Sequence, residues 1–336
     1  MHDSSAMPSC SATKPIAVAG TSVGSAKNRP SIRTVPHCTA NSASAWQDTS
    51  VPATFVFVHG SNGNSFSWAP LQRELALLGH RTLAVDLPGH GFAAAFRVSY
   101  QAPQDLAALA TAPAALAGVT LADEVEHVAA IVQRSAEHGR VILVGHSRGG
   151  LPLTAVGNAI PDLIDRLVYI SAWCCVDLTP AEYMQTPENA TSELSKTGAV
   201  LVGDPGELGV LRMNWRTADP QLLGTLKTAL LADGTDEEFL AYLNTLEPEE
   251  SLDVGSSGDR AHAHADTWGR IPRTYIRLTA DRSIPIALQD RFINEADALT
   301  AYNPFEVHSI DSSHVGFLIR PREAATILAS LARREE

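Results

Sequence analysis

Cysteine is scarce, with four in 336 residues. That is too few for a disulfide scaffold. Cys10 and Cys38 fall in a segment without hydrophobic pattern, and Cys174 and Cys175 are adjacent, so no pairing framework emerges and a reducing, cytoplasmic setting is expected. Long apolar runs are also missing: none approaches the ~20 residues of a membrane-spanning helix. Positive charge is in deficit, 25 Lys and Arg against 37 Asp and Glu for a net charge of −12. This argues against a nucleic-acid partner, whose capture rests on cations neutralising phosphates. There is no internal repeat. What remains is ordinary globular composition, 45% apolar and 18% charged, with length enough for one large α/β domain or two smaller ones.

Residues 1–50 are dominated by Ser, Thr, Ala and Pro and hold no periodicity over two helical turns, which predicts a poorly ordered extension. An over-long start would read the same way. Lys14, Lys27, Arg29 and Arg33 in an acid-poor background raise an address signal as the alternative, but Ile16 to Ala19 is too short for a secretory core.

From Pro52 onward, strand and helix signals alternate. Thr54–Val58 is a short β-branched and aromatic run ending in His59-Gly60-Ser61-Asn62-Gly63. Trp68, Leu71, Leu75 and Leu78 follow at helical spacing until Gly79. Arg81–Val85 predicts a strand closed by the turn Asp86-Leu-Pro-Gly-His-Gly91. Residues 92–119 form a longer connection than a compact link needs, of the length that is functional or mobile. Thr120 with Asp123 caps a helix striped by Leu121, Val125, Val128 and Val132. The apolar strand Val141–Val144 then runs into Gly145-His-Ser147-Arg-Gly149. Arg166–Ser171 predicts another strand. Between Ala172 and about Trp268 the alternation breaks down into Pro-interrupted, partly acidic, helix-like patches, predicting an inserted, mainly helical cap. It resumes with strand 273–279, helix 286–297, strand 305–310 and a last helix begun by Pro321. Such repetition builds a mostly parallel sheet with helices on both faces, an α/β class.

The G-x-S-x-G after an apolar strand describes a sharp strand-to-helix turn that exposes a serine, its glycines sitting where a side chain would strike neighbouring backbone. A serine hydroxyl needs a base, a group to orient that base and donors for an oxyanion. Strand ends are where open α/β sheets gather their ligands, and two later ones deliver Asp281 and His314. The order Ser147, Asp281, His314 is that of the α/β-hydrolase arrangement.

On these residues, 52–334 resembles the α/β-hydrolases, nearer to the plant methylesterase and hydroxynitrile lyase branch than to lipases. The matching stretches are VFVHG (56–60), GHRTLAVDL (79–87), VILVGHSRGG (141–150), TYIRLTADRSIP (274–285) and HVGFLIRP (314–321). The tail and residues 92–119 fall outside it. A looser whole-chain likeness is to cassette-borne esterases of the EstX type. The resemblance implies Ser147 as nucleophile, His314 as base, Asp281 as its orienting carboxylate, and the backbone N–H groups of Ser61 and Arg148 as the oxyanion hole. Lyases of that branch carry a lysine after the histidine and threonine for the glycine of the HG pair. Here Val315 and Gly60 stand in those places, which favours hydrolysis. Arg148 departs from the apolar residue usual after the nucleophile. Its side chain either pairs with a carboxylate in the cap or faces solvent.

Candidate substrate contacts are Asn62, His146, Trp173 and Trp215, with Tyr183 and Trp268 as further aromatics, of which half are expected to be ordinary packing. Asp86, Asp177 and Asp311 are rival acids: Asp86 fits a self-capping turn, Asp177 follows the strand before the cap, and Asp311 lies too close to His314 in sequence. His59 and His146 are expected to be structural. His262, His264 and Asp266 alternate like metal ligands but lack a further ligand pair, so no metal and no cofactor are expected. The function expected is a carboxylic ester hydrolase acting on a small-molecule ester or lactone through an acyl-enzyme, as a monomer or homodimer without membrane or nucleic-acid partners. The alternatives are a macrolide-type lactone esterase that inactivates an antibiotic, a hydrolase-like ligand receptor, and a hydroxynitrile lyase.

Overall fold

The apolar runs become the strands of one sheet in a computed structural model that describes residues 53–252 and 261–333. The predicted N-terminal extension lies outside the described residues. The strands are β1 (Thr54–Val58), β2 (Arg81–Val85), β3 (Val141–Ser147), β4 (Arg166–Ala172), β7 (Arg273–Leu278) and β8 (Glu306–Ile310). They lie in the order β2-β1-β3-β4-β7-β8, every neighbouring pair parallel. After β2 the chain crosses back over β1 to form β3, then builds outward on the other side. The switch point therefore falls between β1 and β3, where a parallel sheet opens a crevice at its carboxyl ends.

Both faces of the sheet are covered, which is why its central strands read as near-continuous apolar runs. Phe55, Phe57, Ile142, Val144, Val168 and Ile170 point into one core. Val56, Val58, Val141, Leu143, Leu167 and Tyr169 point into the other. The helix Leu121–Ala136 starts with the expected capping box of Thr120 and Asp123. The helix Gly150–Ala159, which leaves the elbow, is buried almost throughout. The helix Ile286–Leu299 makes the crossover from β7 to β8, and Arg322–Leu331 follows the last strand.

Two regions carry more structure than expected: the cap is mainly helical as predicted but adds a strand pair, and residues 92–119 are ordered. The insertion between β4 and β7 contains the helices Pro220–Leu230 and Asp236–Leu243, but also an antiparallel pair, β5 (Val210–Arg212) with β6 (Glu249–Ser251). Three-residue strands, one of them Glu-Glu-Ser, carry no apolar alternation by which to find them. Residues 92–119 are not a loose connection. They include the helix Leu106–Thr111, capped by Asp105, and are bonded to the cap strands. Arg212 Nη1 donates to Leu109 O at 2.6 Å, the Ala115 amide to Glu249 at 2.9 Å, and Ser251 Oγ to Val119 O at 2.7 Å. Among the described residues no helix is long and apolar enough to cross a membrane.

Candidate active site

Ser147 ends β3 with φ of +54°, left-handed backbone that costs a non-glycine residue on the order of 1–3 kcal/mol and persists only where its surroundings impose it. The surroundings here are close-packed backbone. A Cβ on Gly149 would stand 2.6 Å from His59 O and 2.7 Å from Val58 O, and one on Gly145 would stand 2.9 Å from Gly149 O. The glycines thus let the elbow nest against the end of β1, as the motif predicts. Gly60 completes the fit, since a Cβ there would meet Ser147 Cβ at 2.8 Å.

His314 and Asp281 arrive from the loops after β8 and β7, which are laced by Thr279 N to Ile310 O and Ala280 N to Ser312 O. The structure brings the three side chains into one line. His314 Nε2 lies 3.0 Å from Ser147 Oγ, and His314 Nδ1 lies 2.6 Å from Asp281 Oδ2. Asp281 is well supplied with donors: Ser171 Oγ bonds Oδ2 at 2.6 Å, and the amides of Ser283 and Ile284 bond Oδ1 at 2.6 and 3.0 Å. The cap braces both loops. Ser283 Oγ donates to Ala229 O, Val315 N to Leu230 O, and Ser313 Oγ to Asp233, which also pairs with Arg320 at 2.6 Å.

The rival acids lie outside this contact. Asp86 accepts the Ser65 amide at 2.6 Å, so it holds the loop after β1 instead of capping its own turn. Asp177 is exposed, and Asp311, also exposed, meets only the Thr279 hydroxyl at 3.4 Å. His262 O and the His264 amide are both bonded by the Asn158 side chain.

Ser147, Ser61, Arg148 and His314 share a cavity of about 400 Å³. Its walls are mostly apolar, with Trp68, Trp173, Met213 and Trp215 prominent. Tyr183 and Trp268 are not among them. Tyr183 bonds Glu295, and Trp268 Nε1 donates to Tyr169 at 2.7 Å beneath a guanidinium, that of Arg273, 3.9 Å from its ring. Asn62 and His146 border the cavity, but each commits one side-chain nitrogen to the scaffold. Asn62 Nδ2 donates to Glu247 O at 2.9 Å, and His146 Nε2 donates to His314 O at 3.0 Å. Burial, reinforced by the neighbouring His314, holds the His146 pKa far below that of a free imidazole. Burial also brings His59 down to about 3, with His90 adding to the effect. His59 Nε2 accepts the Leu87 amide at 3.1 Å, which leaves Nδ1–H to donate to Gly60 O at 2.9 Å. Both rings are fixtures of the scaffold.

Of the two expectations for Arg148, the structure favours pairing over solvent, within a buried ionic cluster beneath the elbow whose members Glu124 and His90 sequence reasoning did not name. Arg148, 2% exposed, pairs with Glu124 at 2.6 Å and approaches Glu250 of β6 at 3.7 Å, while His90 lies 3.8 Å from Glu250. Burial opposes ionisation of Glu250, but Arg148 and His90 outweigh it and hold its carboxyl well below the usual range. Glu124 breaks the apolar stripe of its helix at a position where it is buried, the one sequence signal that could have announced a partner.

A model of the alpha/beta hydrolase family matches residues 55–327. Methylesterase 10 of Arabidopsis thaliana is 24% identical over 289 residues, spanning 83% of this chain and 92% of that protein. Polyneuridine aldehyde esterase of Rauvolfia serpentina is 24% identical over 285 residues, spanning 83% and 95%. A crystal structure of polyneuridine aldehyde esterase has a TM-score of 0.59 at 22% identity, covering 84% of this chain and 100% of that one. A pyrethroid hydrolase from Sphingobium faniae also has a TM-score of 0.59, at 21% identity, covering 84% and 98%. With the sheet order, the elbow and a family match over nearly all of the described residues in agreement, the chain belongs to the alpha/beta hydrolase family.

Proposed function

We propose that the protein is a carboxylic ester hydrolase that works through an acyl-enzyme on Ser147. The observation that carries this reading is the unbroken contact from Ser147 Oγ to His314 Nε2 at 3.0 Å and from His314 Nδ1 to Asp281 at 2.6 Å. Ser147 Oγ attacks the ester carbonyl as His314 takes its proton. The oxyanion is received by the Ser61 and Arg148 amides, and His314 returns the proton to the departing alcohol. Water, deprotonated by the same ring, then releases the acid. Asp281 holds the imidazole in the tautomer with Nδ1 protonated and stabilises the imidazolium.

The size of the cavity supports a substrate class. A cavity of about 400 Å³ lies toward the small end of the roughly 300–1,000 Å³ typical of ligand sites. It suits an uncharged mono- or bicyclic ester and is small for a macrocyclic lactone. The named relatives, methylesterases and an aldehyde esterase, support ester cleavage in general.

The test is intact-mass analysis after treatment with a serine-reactive organophosphate, beside repeated-turnover assays on p-nitrophenyl acetate and butyrate. One adduct and many turnovers are expected for the wild type, and neither for Ser147→Ala. An adduct that persists in the variant would remove Ser147 from its role, and a single turnover would favour a ligand receptor.

A further inference from the structure

Position 148 directly follows the nucleophile and carries a buried arginine with an acid on two sides. Arg148 Nη2 donates to Glu124 Oε1 at 2.6 Å, and Nε lies 3.7 Å from Glu250 Oε1. The other oxygen of Glu250 accepts the Asn62 amide at 2.7 Å. A single carboxylate of the cap therefore reaches both segments whose amides would form the oxyanion hole: the elbow at Arg148, and the peptide next to Ser61. Asn62 itself is held in the left-handed region, φ +55°, and its carbonyl accepts the Glu247 amide at 2.8 Å. The loop after β1 is thus sewn to residues 247–250, not only to the sheet.

A carboxylate next to a developing oxyanion would oppose catalysis if its charge stood alone. Here Arg148 and His90 face it at 3.7 and 3.8 Å, with Glu124 on the far side of the guanidinium. The hydrogen bond to Asn62 is charge-assisted, stronger and more directional than a neutral one.

We propose that Glu250 is a positioning residue for the oxyanion hole, so that cap strand β6 sets the placement of the Ser61 and Arg148 amides around the tetrahedral intermediate. This role rests on Ser147 being the nucleophile. It gives the arginine after the nucleophile a reason: Arg148 neutralises the acid that orders the opposite wall.

The test compares Glu250→Gln, which keeps the shape and an acceptor for Asn62, with Glu250→Ala, which keeps neither, and with Ser147→Ala. Each is assayed on p-nitrophenyl butyrate and with a trifluoromethyl ketone, whose hemiketal on the serine carries the oxyanion. Loss of a whole oxyanion donor costs about 100- to 1,000-fold in kcat. Displacement of the donors is expected to cost about 10- to 100-fold in the alanine variant and less in the glutamine variant, with KM changed less than about threefold. The ketone should weaken in step with kcat/KM, as a lost transition-state contact requires. Wild-type kcat in both variants overturns the role. So does a raised KM with unchanged kcat and ketone binding, which would make Glu250 only an anchor of the cap. If the alanine variant does not fold, the near-isosteric glutamine variant decides alone by the same criteria. Turnover surviving in Ser147→Ala overturns the acyl-enzyme reading and this role with it, whereas its loss there beside unaffected Glu250 variants overturns only the role of Glu250.

Discussion

Ser171 Oγ donates to Asp281 Oδ2 at 2.6 Å, the same oxygen that faces His314 Nδ1. Asp281, after β7, is therefore tied to the end of β4, the strand that leads on to Asp177. Asp281→Asn would donate where it must accept and hold the wrong imidazole tautomer. By analogy with other triads, kcat should fall by about 10,000-fold. Asp177→Asn, at an exposed side chain, should stay within about twofold of wild type. Steady-state kinetics on one ester ranks the two, and the reverse ranking moves the acid to β4.

Ser171→Ala tests the tie itself. Removing a hydrogen bond to a charged, buried group costs about 1.5–3 kcal/mol. Urea unfolding should show a loss of that size, with Ser147 still reactive toward an organophosphate. Unchanged stability would mean that the hydroxyl contributes nothing to the carboxylate.

The arginine beneath the elbow gives a prediction for stability. Arg148→Met leaves Glu124 buried without its cation and Glu250 with His90 alone, and breaking a buried pair from one side costs about 3–5 kcal/mol. The triple variant Arg148→Met, Glu124→Gln, Glu250→Gln removes the stranded charges and should recover most of that loss in chemical denaturation. Equal stability of the single and triple variants would show that the cluster is not electrostatically coupled.

Acid sensitivity should trace in part to His59. Unfolded, this ring takes a proton near pH 6.5, but folded it resists until about 3. The unfolded state therefore binds more protons across that window, and stability falls as pH drops, by up to about 1.4 kcal/mol per unit for one group. His59→Gln, which can still accept from Leu87 and donate to Gly60, should flatten the slope of unfolding free energy by about that amount between roughly pH 6 and pH 4. An unchanged slope assigns the acid limb to other groups.

The parts of this molecule with period and punctuation were legible in its sequence. The strands Thr54–Val58 and Arg81–Val85 begin and end where the apolar runs and turn residues place them, and the lines of Ser147, Asp281 and His314 follow from strand ends. What was not legible depends on pairing across the chain. Glu124 and Arg148 are 24 positions apart, and Asn62 and Glu250 are 188 apart. No local pattern links such residues: a cap carboxylate for Arg148 is one of two readings, but nothing in the sequence singles out Glu124 or Glu250. The same holds for the 92–119 segment, whose order comes from Arg212, Glu249 and Ser251 rather than from its own composition.

Strand β6 has a further consequence in its parity. Glu249 faces away from the cavity to bond Arg212 and the Ala115 amide, Glu250 borders it, and Ser251 turns outward again to Val119 O. Opposite it, Arg212 and Leu211 alternate in the same way, with Leu211 bordering the cavity. Because side chains along a strand swap faces at every step, a slip of one position would present Glu249 or Ser251 to Arg148 and turn Glu250 toward Leu109. Chimeras that exchange the segment between β5 and β6 can thus vary its length freely only while the phase of β6 is preserved. An odd shift would deliver the right residues to the wrong side.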